Sequence, residues 1–475
     1  MNLHAVKFKK VPKRLIVAIM MFTACWTTFM CRLQMPVLVV KMIHIPDYND
    51  SKSINDSDDH PENAKFIRGQ VLAAYAYGHV PGNLIGGLLA MHLGPRSAIF
   101  WSGIIVALVS MISPFLFNMH WLLLMISRII IGLAGGVNYP ACHALLSQWA
   151  PPNEKSRFVW SLLGGTFGVI VTYPLLGAIV ENFGWQWGWY IPSSGMLVWL
   201  MFWWFLTYDS PLEHPSISEE EKHYIIDSQA EVVSQEKMIL KEIPLRAICT
   251  SIPFISLVIC HFGNSFLVFL YQYAMMIYLT KALNMSISKG GLIASLPWIG
   301  RLVFGFFFSW IGDNIRQKQI VSLTVFRKCA SIFALFIPSL FLIGVCYVRQ
   351  NDVTIINVML VLALSFNGAV CIVNLANNQD LSPNYAGFLY GIMNTVASAS
   401  GIILPPLIEK IVGHDEDQEE WRMVFWVGAA VCTISMILFV LGGSGQVQSW
   451  NEINKPTEKK ISLELTQEKN IVTKF

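Results

Sequence analysis

The chain has 475 residues, of which 54% are hydrophobic and only 13% charged. An ordinary soluble domain carries about 25% charged residues, so a charge deficit along the whole length excludes a soluble domain on a single anchor. Net charge is 33 − 30 = +3, and no dense basic face exists beyond the short N-terminus, which excludes nucleic-acid binding. The nine cysteines are scattered, and Cys25, Cys31, Cys142, Cys260 and Cys371 fall within apolar runs. Neither a metal-ligand spacing nor a disulfide framework is visible among them.

In chain order, apolar runs predict spans at 15–40, 67–91, 96–117, 119–147, 157–181 and 187–207. After a polar segment at 208–249 come 250–280, 287–311, 320–348, 353–379, 384–411 and 421–443. Crossing the hydrocarbon takes about 20 helical residues, so this is an all-α membrane protein with twelve transmembrane helices. Its organisation is a six-helix half at 1–207, a cytoplasmic linker at 208–249, a second six-helix half at 250–443 and a cytoplasmic tail at 444–475. The first run is a retained span rather than a cleaved signal, because it is too long and lacks a small-residue cleavage site.

Basic residues in short flanks set orientation. Lys7, Lys9, Lys10, Lys13 and Arg14 put the N-terminus in the cytoplasm, and twelve spans return the C-terminus there. The loops with Arg96, Lys155, Arg157, Arg316 and Lys318 then fall inside. The acidic segment 41–66 and the loop HDEDQEE at 414–420 fall outside. Asn49, Asn55 and Asn284, each in an N-x-S acceptor, are the glycosylation candidates and also fall outside.

Two arginines, Arg32 and Arg128, lie within apolar runs that contain no carboxylate. A guanidinium there costs several kcal/mol unless it faces water or a counter-charge. An anion arriving from outside would supply that counter-charge. On span two, Tyr75, His79 and Asn83 recur at every fourth position and so share a helical face, with Tyr77 at its flank. That stripe faces either a cavity or a neighbouring helix. Arg301 is a third cation within a span. His79, His143 and His261 are the residues within spans that titrate nearest neutrality. Asn264, Tyr271, Gln272, Asn367, Asn374 and Asn377 supply uncharged oxygens in the second half, which suit a cation, a substrate or helix contacts equally. Asp380 is expected to cap or pair at the end of span ten. The closing sequences of spans two and eight, GGLLAMHLGPR (86–96) and GFFFSWIGDNIRQK (305–318), echo each other, as repeated halves of a secondary transporter would.

GGLLAMHLGPR also resembles the cytoplasmic-loop motif of the major facilitator superfamily, with Met91 where an acid is expected. RIIIGLAGGVNYPACHALLSQWAPPNEKSR (128–157), HFGNSF (261–266), NNQDLSPNYAGFLYGIMN (377–394) and WRMVFWVGAAV (421–431) resemble the anion/phosphate cotransporters of solute carrier family 17. That family includes sialin and the vesicular glutamate transporters. The resemblance implies the major facilitator fold, with Arg32 and Arg128 as the substrate-binding arginines of spans one and four. Asn138 of the NYP turn joins the candidate site. Departures are Gly135, where proton-coupled members have a glutamate, and Leu72 and Asn264, where vesicular glutamate transporters have a histidine and an arginine. These departures point towards the phosphate-cotransporter branch.

The expected function is secondary active transport of inorganic phosphate or organic anions by alternating access, without covalent chemistry or a bound cofactor. A co-transported Na+ or H+ drives it, with Na+ preferred because Gly135 removes a proton carboxylate. The partners are a small anionic substrate and the lipid bilayer. The membrane is either the plasma membrane or a lysosomal or vesicular one. Two rival expectations are a proton-coupled or potential-driven organic-anion carrier of lysosomes or vesicles, and a non-transporting receptor on a transporter scaffold.

Overall fold

The computed structural model describes residues 12–43, 61–151, 158–230, 244–318, 321–349, 352–382, 385–413 and 417–451. Asn49, Asn55 and most of the acidic 41–66 segment lie outside these, as do Lys7, Lys9, Lys10, Lys155 and Arg157.

Every regular element is helical among the described residues. The first half comprises α1 (Lys13–Met42), α2 (Pro61–Leu93), α3 (Pro95–Met119), α4 (Trp121–Gly135), α5 (Asn138–Trp149), α6 (Gly164–Phe183) and α7 (Trp187–Leu206). The linker contributes α8 (Glu219–Ala230) and the short α9 (Leu245–Thr250). The second half comprises α10 (Ile252–Tyr273), α11 (Ile287–Gln317), α12 (Leu323–Ser331), α13 (Ile337–Tyr347), α14 (Val353–Asn367), α15 (Asn374–Leu381), α16 (Ala386–Ser398), α17 (Ser400–Ile411) and α18 (Gln418–Gly442). Helices dominate because no water in the hydrocarbon can satisfy an open backbone.

Ten helices among the described residues are long and apolar enough to cross a membrane. The two other predicted spans, α2 and α7, are also long, with 33 and 20 residues. α2 is less apolar because of its stripe of tyrosine, histidine and asparagine. α7 carries no charged residue and is rich in tryptophan, whose ring N–H lowers its hydropathy although its large apolar body suits a membrane protein. With these two, the twelve-span arrangement is complete.

Spans four and ten are each broken, and at corresponding positions. Span four breaks between α4 and α5 at Gly136–Val137, and span ten breaks between α14 and α15 at Gly368–Ile372. Each break presses on a partner helix of its own half. A Cβ on Gly132 would stand 2.0 Å from the Tyr75 carbonyl oxygen, and one on Gly368 would stand 2.6 Å from that of Arg301. So span four packs on span two as span ten packs on span eight, which is the internal repeat expressed as backbone contact. Gly132→Ala is therefore expected to cost about 3 kcal/mol or more and to remove the monodisperse peak in detergent size exclusion. Gly87→Ala, whose Cβ meets nothing within 4 Å, should elute as wild type.

The two halves meet through spans two and eleven and through spans five and eight. We call the face with the described ends Pro12 and Asn451 the terminal face, and the opposite one the far face. Three links between the halves lie at or towards the far face. Arg68 donates to both oxygens of Glu409 at 2.7 Å, with both side chains buried. Ser288 N donates to Glu181 at 3.0 Å. Deeper in, the Tyr173 hydroxyl donates to the Gln272 carbonyl at 3.0 Å.

At the terminal face, charged residues tie ends together within each half. Glu221 of the linker helix accepts from the backbone N–H groups of Lys13 and Arg14, both at 3.0 Å, and so caps the open N-terminus of α1. Asp209 does the same for Arg96 N at the start of α3, at 2.7 Å. Asp380 pairs with buried Arg327 at 2.8 Å. Asp380 is thus paired, in line with the sequence reading.

Candidate functional site

Arg32 lies 19 residues past the start of α1, about 28 Å along a straight helix, and so stands in the far-face half of the bundle. Four residues on comes Pro36, inside the helix. Proline has no N–H, so the Arg32 carbonyl loses its usual partner within the helix. Arg128 takes its place. Its Nη2 donates to the Arg32 carbonyl oxygen at 3.1 Å, and its Nη1 reaches that of Cys31 at 3.5 Å. A proline in span one thereby anchors the arginine of span four.

Tyr75 of α2 joins the two guanidiniums. Arg32 and Arg128 each have their Cζ 5.3 Å from the centroid of its ring. Phe269 of α10 covers Arg32 at 4.8 Å, and Trp189 of α7 lies 5.9 Å from Arg128. The Tyr273 hydroxyl, buried on the same face of α10, lies within electrostatic reach of both cations. Among the described residues no carboxylate pairs with either arginine. Both Nε atoms are buried without a hydrogen-bond partner. Aromatic faces offset part of the burial cost, roughly 2 kcal/mol for a desolvated contact, and leave the positive charge unneutralised.

One expectation is corrected. The sequence reading has each guanidinium facing water or a counter-charge, yet here Arg128 is 0% exposed and Arg32 9%, and no carboxylate pairs with either among the described residues. The aromatic rings and the closed far face cover them. They face protein, not lipid.

The other predicted residues divide. His79 stacks on Tyr75, with centroids 5.2 Å apart, and belongs to the site. Tyr77 turns away and donates to Gln70 of its own helix at 3.1 Å. Asn83 donates to the His79 carbonyl at 3.0 Å, also within its helix. The stripe therefore contributes Tyr75 and His79 and not its flank or lower end. Asn138 is buried beside Cys25 and Cys142. With Gly135, Thr28 and Ser102 it lines a cavity of about 10 Å³, one water in size. A Cβ on Gly135 would stand 2.9 Å from the Tyr75 hydroxyl, so this position abuts the ring that joins the cations.

Asn264 accepts from Asn367 at 3.1 Å, Tyr271 donates to the Leu360 carbonyl at 2.6 Å, and Asn377 donates to the Ser444 carbonyl at 2.8 Å. These residues join helices within the second half and do not reach the arginines. Asn284 is exposed in a left-handed turn with φ 51°, open to modification.

Sequence reasoning did not identify Phe269, Tyr273 or Trp189. It had one usable signal in the proline four residues after Arg32.

Two six-span halves around a shared buried site define a membrane carrier rather than an enzyme. A family model described as Major Facilitator Superfamily matches residues 17–406. The relatives are also similar over nearly the full length. Human vesicular glutamate transporter 2 is 29% identical, over 97% of this chain and 80% of its own. Vesicular glutamate transporter 2.2 of Danio rerio is 30% identical, over 97% and 79%. The chain therefore belongs to the major facilitator superfamily, within the family that holds the vesicular glutamate transporters. Among solved structures, a D-xylose-proton symporter superimposes with a TM-score of 0.68 at 12% identity, covering 92% of this chain and 99% of its own. A bacterial homologue of the lysosomal transporter Spinster, inward-facing and unoccupied, gives 0.65 at 12% identity, over 91% and 97%.

Proposed function

We propose that this carrier moves a small anion, an organic carboxylate or inorganic phosphate, across a cellular membrane by alternating access. The observation that carries the proposal is the pair of buried guanidiniums on one tyrosine ring, between the halves and without a carboxylate partner among the described residues. Planar guanidinium groups suit carboxylate and phosphate equally. The similarity to vesicular glutamate transporters supports the carboxylate, and a vesicular or lysosomal membrane. Basic flanks support a cytoplasmic terminal face.

Uptake of an anion into a cell runs against the membrane potential by roughly 2.3 kcal/mol per charge per 100 mV, so a cation accompanies it. For a plasma-membrane carrier we propose sodium, because Gly135 supplies no carboxylate beside Tyr75 and the buried Glu409 is committed to Arg68. An organelle carrier would instead run on protons or the potential.

The test is flux into vesicles reconstituted with the full chain. L-Glutamate, phosphate and sialic acid are offered while sodium, proton and voltage gradients are imposed singly. Flux of at least one anion is expected, and sodium should accelerate it. Sodium-independent flux rejects the coupling ion. No flux of any anion rejects the carrier and favours a receptor.

A further inference from the structure

A second group of donors lies between the arginine pair and the terminal face. His261 is nine residues into α10, about 14 Å from that face, and is 5% exposed. Its Nδ1 lies 3.3 Å from Asn374 Nδ2, while Asn374 Oδ1 accepts from the Cys260 thiol at 3.2 Å. With that oxygen taken, the amide nitrogen donates to Nδ1, and the network assigns the imidazole proton to Nε2. That N–H is buried and makes no hydrogen bond of good geometry, with the Asn394 side chain as the group within reach of the ring.

The ring of Tyr390, on α16, lies 5.9 Å from His261 and 6.0 Å from His143 of the first half. Arg301 of α11 lies within electrostatic reach of His261 and of Tyr139. Among the described residues no carboxylate pairs with Arg301. Tyr139 connects the two groups, since its ring meets Phe29 at 6.1 Å and Phe29 lies 5.2 Å from Arg32. A buried imidazole N–H, a guanidinium and a phenol, all donors, thus lie where the second half faces His143 and Tyr139 of the first, with no acidic partner among the described residues.

We propose that Arg301, His261 and Tyr390 form a second anion station, which the carboxylate or phosphate of the cargo occupies between the terminal face and the Arg32–Arg128 site. This rests on the anion-carrier reading. A buried N–H without a well-formed bond is costly, and an anionic oxygen satisfies it while neutralising Arg301. Two stations of donors in series let an anion advance without crossing an uncompensated apolar stretch.

The experiment measures L-glutamate and phosphate flux in vesicles sorted by orientation, so that each face is presented separately. Arg301→Gln is expected to raise KM at the terminal face about tenfold, the loss of roughly one charge-assisted bond. KM at the far face should stay within about twofold, and Arg301→Lys should restore most of the affinity. Equal KM changes at both faces, or a fall in maximal rate alone, overturn the station. Arg128→Gln, run alongside, tests the parent reading, since unchanged flux there removes the anion carrier itself. A second measurement is independent of flux. In detergent, phosphate or L-glutamate should raise the melting temperature of Arg128→Gln and fail to raise that of the Arg128→Gln, Arg301→Gln double variant. No rise in Arg128→Gln itself also overturns the station.

Discussion

Arg128→Gln should yield a carrier that folds as well as wild type, or better, and has lost anion flux by a factor of a hundred or more. The two effects have opposite signs because one buried charge causes both. Arg128 is fully covered and has no carboxylate partner among the described residues, so its burial costs several kcal/mol that glutamine avoids. Glutamine is too short to reach the carbonyl that Pro36 leaves open, a loss of about 1 kcal/mol that is smaller than the charge burial it removes. It cannot supply charge-assisted bonds to an anion, each worth roughly 1.5–3 kcal/mol. Two such bonds lost correspond to a factor of roughly a hundred or more. Thermal unfolding in detergent beside vesicle flux reads both quantities. A lowered melting temperature with flux retained would show that Arg128 only braces the bundle.

Glu409→Gln should shift the population towards a conformation open at the far face. Arg68 and Glu409 form a two-point bond across the halves, on spans two and eleven. Removing one partner of a buried pair costs roughly 3–5 kcal/mol, and here the cost falls on the closed conformation that makes the bond. Labelling from the far face reads the shift, with a cysteine at Phe269 as reporter. Modification should accelerate at least tenfold over the same reporter in wild type. Restoring the bond geometry with Glu409→Asp should recover part of the slow rate. An unchanged rate in Glu409→Gln would mean that spans five and eight hold the far face shut alone.

Much of the fold was legible because lipid imposes a simple rule, a long apolar run for each crossing. Only α2 and α7 strain it, through polar and tryptophan residues. Arg32 and Arg128 were legible for the same reason, as charges where hydrocarbon tolerates none. Tyr75 and His79 followed from fourfold spacing. That spacing could not separate them from Asn83, whose short side chain reaches its own helix carbonyl, or from Tyr77, which reaches Gln70.

The aromatic cover was not legible, since Phe269 and Trp189 come from helices far apart in sequence and look like ordinary lipid-facing residues there. The exclusion of water from the two arginines was missed for a related reason, because sequence spacing does not say which face of a rocking bundle is shut. Arg68 and Glu409 each sit near a span end, where a charge usually meets water, and nothing local reveals that they meet each other.

Span one loses a rung of its own ladder at Pro36, and span four fills the gap with a side chain. Both positive groups are thereby bolted to one half of the molecule, whereas Phe269 rides on the other. When the halves tilt, the cations should travel together as a fixed cradle while the phenyl shutter slides off, so uncovering the cargo requires no rearrangement of the groups that grip it.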